Sequence, residues 1–108
     1  MAFVVEWYSV AAGRSPAWDF VDDLPAADAA AIVADINAVG LYDTKAPVSM
    51  KPIKGHRPMW EIRTRGFRTF YIFTGKRMIV LHACKKQDQE RGIKVAAQRM
   101  KKVLEEGG

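Results

Sequence analysis

Residues 59–85 read MWEIRTRGFRTFYIFTGKRMIVLHACK, a run in which short turn signals separate three apolar stretches. The stretches lie at residues 59–64, 67–73 and 77–84. They are rich in β-branched and aromatic residues, which favour strands. Arg65-Gly66 and Gly75-Lys76 each have the length and the glycine of a two-residue hairpin loop. We therefore predict three antiparallel strands that follow one another as a meander.

The segment before the meander predicts one strand and two helices. Residues 3–8 form a short aromatic and β-branched run, which is typical of a strand. Ser15 and Pro16 have the residue types of a helix cap and a first helical position. Pro25 begins a second, alanine-rich helix, which we expect Gly40 to end as its C-cap.

Residues 43–58 contain three prolines and a glycine without a sustained period, and they predict a loop. After the meander, Asp88 is expected to cap a last helix, in which apolar residues recur at intervals of three and four. The predicted order is βααβββα, with an antiparallel sheet, an N-terminal helical hairpin and a C-terminal helix. This is an α+β fold, which we expect to form a single domain over residues 1–108.

Charge is divided unevenly along the chain, whose net charge is +5. Residues 1–44 carry one cation and seven carboxylates, a net charge of −6, whereas residues 45–108 carry sixteen cations and five carboxylates, a net charge of +11. A solvated surface explains many basic stretches. The alternative is a polyanionic partner, which the second part of the chain favours.

Several classes of protein are not expected. No apolar run approaches the roughly 20 residues of a membrane span, and residues 1–6 lack the basic start of a signal peptide, so we expect the cytoplasm and no membrane. Cys84 is the only cysteine, which excludes an internal disulfide and favours a buried thiol. With two histidines at unrelated spacing, we expect neither a metal nor another cofactor.

The hairpin spacing predicts a cluster of cations. Two-residue loops would place Arg63 directly opposite Arg68, and Arg68 opposite Ala83, with Lys85 two residues further on the same face. Like charges that face each other destabilise a sheet, so an anionic ligand is one explanation for the pair. The alternative is that Glu61, on the same face as Arg63, neutralises both arginines in a structural salt bridge. A register slip of one residue would remove the cluster.

The aromatic residues and histidines support weaker predictions. The strand pattern favours the core over base stacking for four aromatic residues, which are Trp60, Phe67, Tyr71 and Phe73. The same register places His82 opposite Thr69, away from Arg68, and favours a structural histidine over a proton shuttle. His56 lies in the basic loop, where its ring either reaches a substrate phosphate or has no role.

The ordered series Met59-Trp60-Glu61-Ile62-Arg63, Phe67-Arg68-Thr69-Phe70-Tyr71 and Ile79-Val80-Leu81-His82-Ala83-Cys84-Lys85-Lys86 resembles the phage-derived HigB-like toxins of the RelE/ParE superfamily. Upstream, Gly13-Arg14-Ser15-Pro16 is similar to the opening of that family, and Ala96 and Arg99 are similar to its closing Ala-x-x-Arg. The resemblance covers nearly the whole chain. It implies a RelE-like fold and the toxin of a type II toxin–antitoxin pair, with a helix-turn-helix antitoxin as partner.

The resemblance also implies that the toxin cleaves mRNA without a metal, in many relatives only on the ribosome. The ribose 2′-hydroxyl attacks the adjacent phosphate, while cations stabilise the charge on the phosphoryl oxygens. Four residues would carry catalysis, namely Arg68 as the principal phosphate clamp, Arg63, Lys85 and Lys86. Five further residues of the basic segment would contact RNA, namely Lys51, Lys54, His56, Arg57 and Arg65.

This sequence departs from RelE proper because residues 87–93 contain no tyrosine that would protonate the leaving oxygen. The general acid is thus unassigned, and a lysine with a lowered pKa or a water would have to serve. Two other functions are open. One is a ParE-like protein of the same fold that binds DNA gyrase, and the other is a non-catalytic RNA-binding protein.

Overall fold

The computed structural model describes residues 2–106 as a five-stranded sheet with helices on both faces. The strands are β1 (Val4–Trp7), β2 (Ser49–Pro52), β3 (Trp60–Thr64), β4 (Phe67–Thr74) and β5 (Arg77–Lys85). The helices are α1 (Pro16–Asp22), α2 (Ala26–Tyr42) and α3 (Gln89–Glu105). The sheet order is β1-β5-β4-β3-β2, with β1 parallel to β5 and the other neighbours antiparallel.

The fold class is α+β as predicted, but the sheet is mixed and not antiparallel, because β1 is parallel to β5, and the order βααβββα is wrong by one strand. The observed order is βααββββα, because β2 forms within residues 43–58, which the sequence predicts as a loop. Pro52 is the last residue of β2, and β2 lies at the edge of the sheet. Proline has no N–H to donate to a neighbouring strand, and an edge strand tolerates this.

The meander β3-β4-β5 is confirmed, and Arg63 pairs with Arg68 as the hairpin spacing predicts. The second hairpin keeps its predicted register only from Arg77 to Val80. Leu81 is an extra residue in β5, a β-bulge, because Tyr71 pairs with Val80 whereas Phe70 pairs with His82. Every pair beyond the bulge is therefore shifted by one residue.

The bulge overturns three predicted placements. Arg68 pairs with Cys84 and not with Ala83, while His82 pairs with Phe70 and lies on the same face as Arg68. Lys85 pairs with Phe67, on the opposite face from Arg68. The three-cation cluster of the sequence prediction is thus reduced to its two arginines. The cause is the one-residue shift, because the side chains of a strand point alternately to the two faces of the sheet.

Helices α1 and α2 cover one face of the sheet. The Ser15 hydroxyl accepts a hydrogen bond from the Trp18 N–H at 3.4 Å, so the predicted N-cap of α1 is confirmed. Gly40 does not end α2 as predicted, because the helix continues to Tyr42 and Gly40 is buried. A Cβ at position 40 would come within 2.9 Å of Val5 Cγ2, so the glycine permits close packing of α2 on β1.

Apolar residues of α1 and α2 pack on the sheet in one core cluster, which includes Ile32, Ile36, Val39, Ile62, Tyr71, Met78 and Val80. Phe67, Phe73 and Trp60 pack against this cluster, so the core prediction for the four aromatic residues is confirmed. A second cluster joins α3 to the other face and includes Met59, Phe70, Ile72, Leu81, Ala96 and Met100.

Helix α3 lies very close to β5. A Cβ at Gly92 would come within 2.7 Å of Cys84 Sγ, and Cys84 is buried as predicted. Asp88 precedes the helix, but its side chain makes no capping hydrogen bond and lies 3.9 Å from Arg91 instead.

Within residues 2–106, no single helix is both long enough and apolar enough to cross a bilayer. Helices α1 and α2 with their flanking turns meet these two criteria only as a pair, and the pair is bent by 117°.

Candidate functional site

The predicted arginine pair lies on the face of the sheet that α3 covers in part. The ladder places Lys51 opposite Glu61, and Arg63 opposite Arg68, so all four side chains belong to this face. Helix α3 packs mainly on β5 and β4. The β2–β3 side remains open, and both Lys51 and Arg63 are exposed there.

Glu61 is fully buried and organises this group, which we call the arginine–glutamate cluster (Glu61, Arg63, Arg68 and Gln89). Its Oε2 accepts a hydrogen bond from Arg63 Nε at 3.0 Å, and its Oε1 lies 3.9 Å from Arg68 Nε. Gln89 Nε2 donates a hydrogen bond to Oε1 at 2.6 Å. The structural salt bridge that the sequence left as an alternative is therefore present.

The two arginines differ in their access to solvent. The Arg63 side chain is 40% exposed, whereas the Arg68 side chain is 7% exposed. Arg68 Nη1 donates to the Phe67 carbonyl at 3.0 Å, and Arg68 Nε has no hydrogen-bond partner among residues 2–106. Arg63 is the arginine whose guanidinium a phosphate can reach directly, while Arg68 adds positive charge from below.

The other two predicted catalytic residues lie at the end of β5, apart from the cluster. Lys85 and Lys86 are both exposed. The Lys86 N–H donates to the Gly66 carbonyl at 2.8 Å, which holds this end of β5 beside the β3–β4 turn. Arg65 belongs to the same turn, and its Nη1 lies 2.8 Å from Asp28 Oδ1 of α2. These cations form a second basic area at the rim of the sheet.

The predicted RNA-binding loop follows β2. Lys51, Lys54 and Arg57 are exposed, and His56 is partly buried. Buried Ile53 and Met59 anchor the loop in the α3-side core. The loop thus presents its cations from a fixed position at the β2–β3 edge, whereas Arg65, Lys85 and Lys86 lie around the β3–β4 turn.

Sequence reasoning missed Gln89 and gave Arg99 no role. Arg99 Nη1 donates to the carbonyl of the bulge residue Leu81 at 2.8 Å and lies 3.3 Å from His82 Nδ1. Its guanidinium carbon lies 5.5 Å from the centre of the Tyr8 ring. The Ala-x-x-Arg resemblance was the one signal for Arg99. Gln89 had none, because a polar residue at a helix start is common.

Burial and neighbouring charge change the chemistry of two side chains near the cluster. Burial, together with the positive charge of Arg99, lowers the pKa of His82 to about 4. The pKa of Cys84 is raised to about 11, mainly by burial and also by the negative charges of Asp88 and Glu61, against the opposing effect of Arg68. Neutral His82 has the environment of a structural histidine, and Cys84 is protonated and unreactive at neutral pH.

No group of three histidine, cysteine, aspartate or glutamate residues within the described chain is arranged to hold a metal ion. No curated protein matches the sequence at a significant level. One family model does match, described as Phage derived protein Gp49-like (DUF891), and the match runs over residues 19–104. It covers the second half of α1, all of α2, β2 and the meander, and nearly all of α3. The chain therefore belongs to the Gp49-like family of phage-derived proteins, which is part of the RelE-like toxin group of toxin–antitoxin systems.

Proposed function

We propose that this protein is the HigB-like toxin of a type II toxin–antitoxin pair, with a RelE-like fold, and that it cleaves mRNA on the ribosome. Membership of the Gp49-like family supports the toxin assignment. The observation that carries the nuclease assignment is the arginine pair. Arg63 and Arg68 face each other beside Lys51, and the single carboxylate of Glu61 neutralises only one of these three positive charges. The remaining positive charge suits a phosphate.

The mechanism follows from the exposure of these groups. Arg63 and Lys51 contact the phosphoryl oxygens as the ribose 2′-hydroxyl attacks the phosphorus and the bond to the 5′-oxygen breaks. Arg68 lies beneath them and stabilises the added negative charge through a medium of low dielectric constant. Water takes the proton that the 2′-hydroxyl loses and supplies the proton that the 5′-oxygen takes, so the products are a 2′,3′-cyclic phosphate and a 5′-hydroxyl. No step in this mechanism uses a metal, and Lys85 and Lys86 lie at the rim of the sheet, where they contact neighbouring phosphates of the RNA and not the reacting one.

One observation favours a second function, a non-catalytic RNA-binding protein. Glu61 already engages Arg63 and lies within ion-pair distance of Arg68. A carboxylate in this position reduces the charge that two arginines offer to a transition state. Basic residues on the loop and rim would still bind RNA electrostatically.

Inducible expression in a bacterial host tests the proposal, with primer extension on an abundant message to detect new 5′ ends. The variant to compare is Arg63→Ala, because Arg63 is exposed and Glu61 keeps its hydrogen bond from Gln89 when Arg63 is removed. The matched control is Arg91→Ala, which removes an arginine that is 82% exposed on α3. We expect discrete cuts in the wild type and in the control, and a loss of at least about tenfold in the Arg63 variant.

Other outcomes would contradict the proposal. Growth arrest with intact messages and gyrase-linked DNA damage would identify a ParE-like inhibitor. Unimpaired growth together with RNA binding would identify the non-catalytic protein. Copurification with the product of an adjacent helix-turn-helix gene tests the expected antitoxin separately, because the antitoxin need not share the RNA site.

A further inference from the structure

A small apolar cavity lies where β2 and β3 meet the basic loop. Its volume is about 230 Å³, and it is lined by Pro52, Arg57, Pro58, Met59 and Trp60. Pro52 and Trp60 form the last pair of the β2–β3 ladder, at the edge of the sheet. Neither the RNA chemistry proposed above nor the core explains why an apolar recess opens within a basic surface.

The walls of this cavity have fixed positions. Trp60 packs against the core cluster under α2 while part of its indole remains accessible. Met59 is fully buried and forms the floor. A ring held in this way loses little conformational entropy when a second flat ring stacks on it. Proline rings and the guanidinium of Arg57 complete a surface that suits the face of an aromatic ligand.

The charges around the cavity define the rest of the ligand. Lys51 is adjacent to Pro52 on the edge strand, and Lys54 and Arg57 lie on the loop above it, all three exposed. Single-stranded RNA combines an unstacked aromatic base with a phosphate on each side, and aromatic platforms flanked by cations bind it. In a duplex the bases are stacked and unavailable.

We propose that this cavity binds one unstacked nucleobase of single-stranded RNA, which stacks on Trp60 with Arg57 beside its phosphate. The inference rests on the proposed function, and it adds a subsite to it. Trp60 and Arg63 are three residues apart on β3, or about 10 Å along the strand. They belong to opposite faces, so the RNA passes over the edge strand β2 at Lys51. The bound base thus lies within a few nucleotides of the phosphate at Arg63.

Binding of fluorescently labelled RNA to the full chain tests this subsite. The probe is a short 2′-O-methyl RNA, which cannot be cleaved, in an intact form and in a series with one abasic position each. We compare the wild type with Trp60→Leu, Trp60→Phe and Arg57→Gln. The matched control is Trp18→Leu, because Trp18 is also exposed but lies on α1 beside Trp7.

We expect Trp60→Leu to weaken binding of intact RNA by about tenfold or more, Trp60→Phe to retain most of the affinity, and the control to match the wild type. One abasic position should weaken wild-type binding to the same extent and leave the Trp60→Leu variant unaffected. Arg57→Gln, an exposed change that spares the fold, should also weaken binding.

Two outcomes would overturn the base subsite. If Trp60→Leu and Arg57→Gln bind RNA as the wild type does while Arg63→Ala binds less, the subsite is wrong and the phosphate site remains. If every abasic position costs the variant as much as the wild type, Trp60 acts only on the fold. Absence of RNA binding by the wild type would overturn the subsite, whereas the proposed cleavage on the ribosome is decided separately by primer extension.

Discussion

At Glu61 a carboxylate lies entirely out of contact with solvent, between two guanidinium groups and one side-chain amide. Removing a charge from water costs several kcal/mol, and the attraction of a close partner offsets this cost only while the partner stays in place. Arg63 is largely a surface partner, whereas Arg68 is buried with the carboxylate. The two arginines therefore contribute differently to stability.

We expect Arg68→Ala to lower the free energy of unfolding by about 3 to 5 kcal/mol, because it leaves Glu61 buried without its inner partner. Arg63→Ala should cost less, about 2 kcal/mol, because Glu61 loses a hydrogen bond but the Arg63 guanidinium is itself exposed. Urea unfolding measures both. The double change Glu61→Leu with Arg68→Met should recover most of the loss, and equal small losses for the two single variants would contradict this account.

Residues of the site were predictable where local spacing determines them. The Arg63–Arg68 pair follows from a two-residue turn, and the structure has it. The burial of Arg68 was not predictable, because strand alternation gives the face of a side chain but not its depth. The sequence therefore assigned Arg68 to direct phosphate contact. Its burial makes Arg68→Ala a poor test of function, because the change would also destabilise the fold.

At the level of elements, β5 and α3 are joined through the bulge. Arg99 of α3 donates to the carbonyl of Leu81 and approaches His82 Nδ1, an arrangement that requires a neutral imidazole. The pKa of His82 is lowered to about 4 for this reason, since burial and Arg99 both oppose the second proton. In the unfolded chain the same group has an ordinary pKa near 6.5.

This shift makes stability depend on pH. Between pH 6.5 and pH 4 the unfolded chain takes up a proton at His82 that the folded chain does not, so stability falls as the pH falls. We expect the His82 contribution to drop by about 1 to 2 kcal/mol from pH 7 to pH 5. Urea midpoints for the wild type and His82→Gln should converge over this range, and parallel curves would contradict the prediction.

The elements with strong sequence signals were predicted within a few residues, among them the meander, α1 and α3. Two features were missed. The strand β2 was predicted as a loop because Pro52 and the nearby Pro47, Gly55 and Pro58 weaken the strand signal. An edge strand tolerates a proline at its end. The bulge at Leu81 has no local signature, since an extra apolar residue in an apolar strand leaves the pattern unchanged.

Across the whole molecule, the charge division of the sequence becomes a division between the layers. The acidic segment, residues 1–44, supplies α1 and α2 on one face of the sheet. The basic segment supplies the meander, the loop after β2 and α3 on the other side. A polyanion is thus attracted to the basic β2–β3 edge and the α3 side and repelled from α1 and α2, which orients it before contact.

This arrangement predicts a steep salt dependence for RNA binding. The logarithm of the binding constant for single-stranded RNA should fall linearly with the logarithm of the salt concentration, by about 0.7 for each phosphate neutralised. Arg63→Ala should make that slope shallower by about one phosphate contact, whereas Arg91→Ala, outside the site, should leave it unchanged. Filter binding over a salt series measures the slope, and identical slopes for both variants would place the phosphates elsewhere.

The bulge at Leu81 also restricts how this chain changes length during evolution. Deleting Leu81 would restore simple alternation and keep His82 opposite Phe70, but it would remove a buried side chain from the core under α3 and the carbonyl that Arg99 contacts. Deleting Ala83 would instead move Cys84 to the other face of the sheet and place Lys85 under α3. Insertions and deletions are therefore compatible with the loops of this protein, whereas the spacing within β5 must be inherited intact.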